Sequence, residues 1–165
     1  MRRSHRENRE LKVEITAMEP EHLDEVLAIE AVSFPLPWDR QTFLFEILLN
    51  ELADYVVALS NGRVLGYGGM WLVIDEAHLT NIAVHPDFRG RGIGRLILRA
   101  LIRRAAERGL RKMTLEVRPS NRTARKIYRQ FGFKEKGVRK RYYRDNNEDA
   151  IIMWLEDFQQ MGKGD

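Results

Sequence analysis

The chain reads as an α/β protein of the α+β mixed kind, with a mixed, mostly antiparallel central sheet flanked by helices. Three observations predict it. Period-two and period-3.6 apolar patterns alternate along the chain in the order β α α β β β α β α β β. Asn61-Gly62 is a strong two-residue hairpin signal and makes the middle of the chain an antiparallel meander. A length of 165 residues suits one domain with its own core and is too short for two comfortable ones.

Residues 1–11 and 159–165 are polar and read as flexible tails around a single domain at 12–158. Lys12 to Met18 sets Val13, Ile15 and Ala17 against polar neighbours, a strand pattern. Pro20 opens a helix carrying Leu23, Val26, Leu27, Ile29 and Glu30, and Phe34-Pro35-Leu36-Pro37-Trp38 breaks it. Asp39 can cap a second helix running through Asn50. Strands at Tyr55 to Leu59 and Arg63 to Tyr67 flank the hairpin turn. A further strand at about Ala77 to Val84 is stopped by His85-Pro86, and a glycine-rich turn leads into a helix from about Gly92 to Arg108. Met113 to Val117 is again strand. Asn121 starts a shorter helix whose Ala124, Ile127, Tyr128 and Phe131 share one face, and Gly132 closes it. Strands at about Phe133 to Tyr142 and Ala150 to Leu155 are joined across Asp145-Asn146-Asn147.

Composition removes several function classes. With 44% hydrophobic and 32% charged residues the chain is not disordered, and no apolar stretch approaches the roughly 20 residues of a membrane helix. The absence of cysteine excludes disulfides, thiolate metal sites and a cysteine nucleophile, and the four histidines offer no ligand pair at helical spacing, so no metal is expected. The opening MRRSHRENRE is too polar for a secretory signal, which makes the cytoplasm the expected location and no membrane partner expected. Lys plus Arg less Asp plus Glu is 28 − 24 = +4, a balance that favours anionic partners without identifying one.

Arg89-Gly90-Arg91-Gly92-Ile93-Gly94 stands where a strand hands over to a helix, where unpaired N–H groups and the helix dipole attract an anion such as phosphate. It lacks the Gly-Lys-Ser/Thr ending of a triphosphate loop and the glycine spacing of a dinucleotide fingerprint. Glu116 interrupts the apolar series Met113, Leu115, Val117 and points to the opposite face of its strand, as either a solvated or a functional carboxylate. Tyr128 lies on the apolar face of its helix, as a packed aromatic or as a phenol with work to do. Asn121 precedes it by about two helical turns and shares its side. Arg91, Arg95, Arg99 and Arg103 form a basic stripe, most of it explained by a solvated helix face.

The spacing Arg-x-x-Gly-x-Gly after Asn-Ile-Ala-Val-His-Pro resembles the acetyl-CoA signature of the GNAT superfamily of N-acetyltransferases, and the element order agrees. Leu115-Glu116-Val117-Arg118-Pro-Ser-Asn121, Ala124 to Tyr128, Gly132-Phe133, Arg141-Tyr142-Tyr143 and Glu148-Asp149-Ala150 with Met153 look like the bacterial ribosomal-protein alanine N-acetyltransferases, over about residues 12–155. The resemblance implies a GNAT-type fold and acetyl-CoA as co-substrate, without a metal. It implies that Ile82, Ala83 and Val84 meet the pantetheine arm through backbone groups, that Gly90 to Arg95, introduced by Arg89, hold the pyrophosphate, and that Asn121 touches CoA. Glu116 would be the general base and Tyr128 the group that protonates the departing thiolate. Phe34, Trp38, Tyr142 and Tyr143 would frame the acceptor, a protein N-terminus and most plausibly the N-terminal alanine of a small-subunit ribosomal protein. Direct nucleic-acid binding is not required by this reading. The competing readings are a GNAT enzyme of small-molecule amines or lysine side chains and, more remotely, a non-catalytic RNA- or CoA-binding module.

Overall fold

The structure, a computed structural model, describes residues 11–158. Its elements are β1 (Glu14–Ala17), α1 (Leu23–Ser33), α2 (Arg40–Leu48), β2 (Ala53–Ser60), β3 (Arg63–Val73), β4 (Glu76–Val84), α3 (Ile93–Glu107), β5 (Lys112–Val117), α4 (Arg122–Gln130), β6 (Lys134–Arg139) and β7 (Ala150–Leu155). The order expected from periodicity is the order found. The tails expected at 1–11 and 159–165 lie outside the described residues, apart from Leu11. One seven-stranded sheet runs β1-β2-β3-β4-β5-β7-β6, with β4–β5 its parallel pair and the other pairs antiparallel.

Several boundaries differ from the sequence reading, each for a local reason. Pro20–His22 forms a single 3-10 turn, and the α-helix begins only at Leu23. β3 continues to Val73, well past Tyr67, although it carries Gly66, Gly68 and Gly69. These glycines are contact points: a Cβ on Gly68 would stand 2.6 Å from the Ile97 side chain, and one on Gly69 would enter the Tyr55 ring at 2.1 Å. β6 stops at Arg139 and does not reach Tyr142, because Arg141 has a left-handed φ of 53° and its N–H goes to the Asp149 carboxylate instead of a ladder.

Alternation along the strands builds a core on each face of the sheet. On one face α3 lays down Ile93, Ile97, Leu98, Leu101, Ile102 and Ala105, all buried against Val56, Met70, Leu79, Leu115 and Met153. The apolar side of α4, with Ala124, Ile127, Tyr128 and Phe131, packs onto the same cluster. On the other face Leu23, Val26 and Ile29 of α1 and Phe43 of α2 cover Tyr55, Val57 and Tyr67. α3 is also held electrostatically: buried Asp54 of β2 receives Arg104 Nε at 2.9 Å and stands 3.4 Å from Arg108 Nη2.

Leu101 is fully buried at the centre of the α3 stripe, so Leu101→Ala should cost about 2–5 kcal/mol and lower the melting temperature by roughly 5 °C or more. Arg103→Ala, on the exposed side of the same helix, should stay within about 0.5 kcal/mol of the parent in the same denaturation experiment.

Candidate active site

The parallel pairing of β4 and β5 consists of Glu76↔Lys112, Ala77↔Met113 and His78↔Thr114, and then stops. β4 carries one residue more than β3 just beyond this point, because Met70 pairs with Leu79 and Gly69 with Asn81, leaving Thr80 as the extra residue of a bulge. A bulge bends its strand and increases the local twist. From Leu79 to Val84, β4 is laddered to β3 alone, while β5 goes on with β7. The separated edges carry backbone groups that need partners from a ligand or water.

Two joined clefts of about 740 and 710 Å³ occupy this opening, and Phe34, Ile82, Asn121 and Tyr128 line both. Glu116 enters the first cleft from the strand face opposite buried Leu115 and Val117. Its side chain is only 10% exposed, with Oε2 at 2.6 Å from His78 Nε2 and Oε1 at 3.7 Å from Arg139 Nε. Burial works against its ionised form, but the His78 hydrogen bond and the charges of His78 and Arg139 win and hold the carboxyl below the usual range.

Glu30, on α1, is a second carboxylate in the same cleft wall. Burial raises its pKa, and both oxygens are engaged: Trp38 N–H donates to Oε1 at 3.1 Å and the Tyr67 hydroxyl donates to Oε2. Glu30 therefore anchors the α1–α2 connection. Glu116 is pinned chiefly through one oxygen and is ionised at neutral pH.

Tyr128 comes from α4, packed at 5.7 Å from the Phe133 ring, and its phenol is pushed up to about 12 by burial. It is therefore a protonated donor at neutral pH. Asn121 caps α4, accepting the Ala124 N–H at 3.2 Å, so a structural duty accompanies its place in both clefts.

The second cleft is lined by Ile82, Ala83 and Val84 of β4 and by Arg89, Gly90, Gly92, Ile93, Gly94 and Arg95. Gly90 and Gly92 have φ of 76° and 81°, the left-handed region that favours glycine, and a Cβ on either would meet nothing within 4 Å. Gly92 is the N-cap of the 15-residue α3 and brings no side chain to cap its first amides. Arg89 fastens the loop, donating from Nε to Val84 O at 3.0 Å and from Nη2 to Ser33 Oγ at 3.3 Å. Arg95 donates to Gln130 on α4. The Ile93 side chain is buried in the core, and Arg91 stands outside the lining with its guanidinium 5.9 Å from the Phe88 ring.

Phe34 and Trp38 close the first cleft from the α1–α2 connection, with Trp38 also packed at 5.5 Å on Phe43. Tyr142 and Tyr143 close it from the β6–β7 loop, their rings edge to face at 5.0 Å. Arg118 holds that loop: its guanidinium lies 3.8 Å from the Tyr143 ring centre, Nη2 donates to Asp145 at 2.8 Å, and Nη1 donates to Asn146 at 3.1 Å. Glu148 ties the loop to the β5–α4 turn by accepting from Ser120 N–H and Oγ at 3.0 and 2.9 Å. Sequence reasoning passed over His78, Glu30 as an anchor, and Arg118. The signal for Glu30 was a carboxylate inside an apolar helix stripe; His78 becomes visible only once β4 is known to lie beside β5. Among the described residues no cluster of His, Asp and Glu is arranged to hold a metal, and no helix is long and apolar enough to cross a membrane.

Residues 23–133 match the Acetyltransferase (GNAT) family. A Bacillus subtilis (strain 168) protein provisionally named as a ribosomal protein bS18-alanine N-acetyltransferase is 42% identical over 144 residues, covering 87% of this chain and 95% of its own. The Escherichia coli (strain K12) ribosomal protein bS18-alanine N-acetyltransferase is 37% identical over 145 residues, covering 86% and 95%. The crystal structure of the Escherichia coli ribosomal-protein-S18-alanine N-acetyltransferase superposes with a TM-score of 0.80 at 36% identity, over 88% of this chain and 94% of that one.

Because Arg118, just past β5, bonds Asp145, Asn146 and Glu148 of the 142–148 loop, Arg118→Ala should speed amide hydrogen exchange across residues 141–149 by roughly tenfold or more. Exchange in α3 should be unchanged, and equal protection of the loop in both proteins would show that it is held elsewhere.

Proposed function

Because the chain belongs to the GNAT family of acetyltransferases, we propose that it transfers the acetyl group of acetyl-CoA to the α-amine of a protein N-terminus, with the N-terminal alanine of a small-subunit ribosomal protein as substrate. The observation that carries the reading is the pairing of an ionised Glu116 and a protonated Tyr128 in one cleft, at the opening between β4 and β5. The seven-stranded sheet is that of the GNAT fold, and the family uses acetyl-CoA.

The residues present fit that co-substrate. Left-handed Gly90 and Gly92 keep the α3 amides open to an anion, and Arg89 and Arg95 add positive charge beside them. The unpaired edge at Ile82 to Val84 offers backbone donors and acceptors to an extended amide-bearing arm. Acetyl-CoA supplies the activated acetyl thioester. Phe34, Trp38, Tyr142 and Tyr143 line the first cleft, where they would frame the chain end of the acceptor. Glu116 takes the proton that the attacking amine releases, and Tyr128 gives its phenolic proton to the departing sulfur. With no cysteine in the chain, transfer is direct and no acetyl-thiol enzyme forms.

An α-amino group has a reference pKa of 7.7–8.0 against 10.4 for lysine, so at neutral pH it offers roughly 250- to 500-fold more neutral nucleophile. A modest base suffices for it. A ribosomal-protein substrate places the reaction in the cytoplasm and needs no direct contact between this chain and RNA.

The test uses two peptides of one sequence containing lysine, one with a free N-terminal alanine and one blocked there, incubated with acetyl-CoA and mapped by fragmentation. Acetylation should appear at the free terminus and be lower by roughly 100-fold or more in the blocked peptide; comparable labelling of lysine in both would move the assignment to a side-chain acetyltransferase. Tyr128→Phe should lower kcat on the free peptide by roughly 10-fold or more with little change in acetyl-CoA affinity.

A further inference from the structure

His78 ends the β4–β5 ladder. Its register partner is Thr114, and Glu116 lies two residues further along β5 on the same face, so the imidazole meets the carboxylate where the strands begin to part. The contact between His78 Nε2 and Glu116 Oε2 is 2.6 Å, a little shorter than the ~2.7–2.9 Å of charge-assisted N–H···O bonds. His78 is itself held from behind. The Trp71 ring packs edge-on at 6.1 Å, and Trp71 Nε1 donates to Glu46 Oε2 at 2.9 Å, where Asn50 Nδ2 also donates at 3.1 Å. A continuous chain thus runs from α2 through Trp71 of β3 and His78 of β4 to Glu116 of β5.

We propose that His78 is a positioning residue for acyl transfer: by donating Nε2–H to Glu116 Oε2 it fixes the carboxylate in the cleft wall and reserves Oε1 for the proton of the incoming amine. The proposal rests on the reading of Glu116 as the proton acceptor. A glutamate side chain has three rotatable bonds, and one that swings loses the geometry on which proton transfer depends. His78 removes that freedom at one oxygen, while Arg139 stands at the longer distance of 3.7 Å from the other.

The same contact acts on protonation. Burial opposes the Glu116 charge, and His78 offsets it, both by its hydrogen bond and by its charge. The charged and titratable groups around the pair are Arg139 on β6, Tyr142 and Tyr143 in the following loop, Glu76 on the strand of His78 itself, and Glu46 beyond Trp71. With His78 removed, burial remains, and the carboxyl must hold its proton to a higher pH. A merely structural clip between β4 and β5 would change stability and leave this behaviour untouched.

The experiment measures steady-state acetylation of an Ala-starting peptide from about pH 5 to 9 in the parent, His78→Ala, His78→Gln, Glu116→Gln and the His78→Ala/Glu116→Gln double variant. His78→Ala should lower kcat by roughly 10-fold or more, keep the acetyl-CoA KM within about twofold, and move the acid limb of kcat/KM to higher pH. His78→Gln retains a side-chain donor and should recover most of kcat, with its acid limb between the two. In the Glu116→Gln background, His78→Ala should cost little more, because its effect passes through Glu116. Normal turnover and an unmoved acid limb in His78→Ala, with Glu116→Gln crippled, would overturn the proposal and leave the base in place. An equal loss from His78→Ala in both backgrounds would also overturn it, as the mark of a structural clip. A fully active Glu116→Gln would instead defeat the reading of the base. Should His78→Ala not fold, the acid limb of His78→Gln decides: coincident with the parent in a protein of reduced kcat, it contradicts the proposal.

Discussion

The site depends on one constraint, a parallel strand pair that is made for three residue pairs and then abandoned. Parallel neighbours need a long crossover, and here α3 supplies it, running from the end of β4 back to the start of β5. That crossover forces the α3 N-terminus to sit beside the C-terminal end of β4, at the mouth of the gap. The turn that makes the handover possible uses left-handed Gly90 and Gly92, and Gly92 as N-cap offers no side chain to the first amides of α3. A helix N-terminus and an unpaired strand edge therefore arise side by side from one topological decision. The bulge at Thr80 gives β4 the bend by which it leaves β5.

The gap also brings together side chains from opposite faces of the sheet. Glu116 projects away from the α3 core, whereas Tyr128 packs on it, and in a continuous sheet the two would be separated by backbone. Their environments then set different states. Tyr128 keeps its proton as a phenol ordinarily does at neutral pH, a state burial reinforces, and Glu116 stays ionised because His78 and Arg139 outweigh burial. The walls of the first cleft are held by buried or paired charges, Glu30 under the Phe34–Trp38 connection and Arg118 under the Tyr142–Tyr143 loop. A cleft lined by loops acquires its shape in this way from rigid elements behind them.

Features governed by neighbours in sequence were legible from sequence. Asp39 and Asn121 cap helices, Gly132 closes one, Asn61-Gly62 turns a hairpin, and the interruption of an apolar strand by Glu116 announces a carboxylate on the far face. Features governed by pairing across the sheet were not. The long course of β3 through three glycines makes sense only when Ile97 and the Tyr55 ring are seen to occupy the space a Cβ would need. His78 looked isolated because its partner is 38 residues away, brought near by the register of β4 on β5. The early end of β6 follows from Arg141 adopting a left-handed φ, which residue type alone does not announce. Roles for Glu116 and Tyr128 came from resemblance, and both side chains line one opening.

The central claim is that the parted β4 and β5 edges, with the α3 N-terminus, receive acetyl-CoA. Amide hydrogen exchange with and without saturating acetyl-CoA tests it most directly, because the claim concerns backbone groups that no side-chain substitution removes. Protection should rise at residues 82–84 and 92–95 and stay unchanged along the outer edge strand, Lys134–Arg139. Unchanged exchange at 82–84 and 92–95, or protection confined to another surface such as α2, would contradict the account.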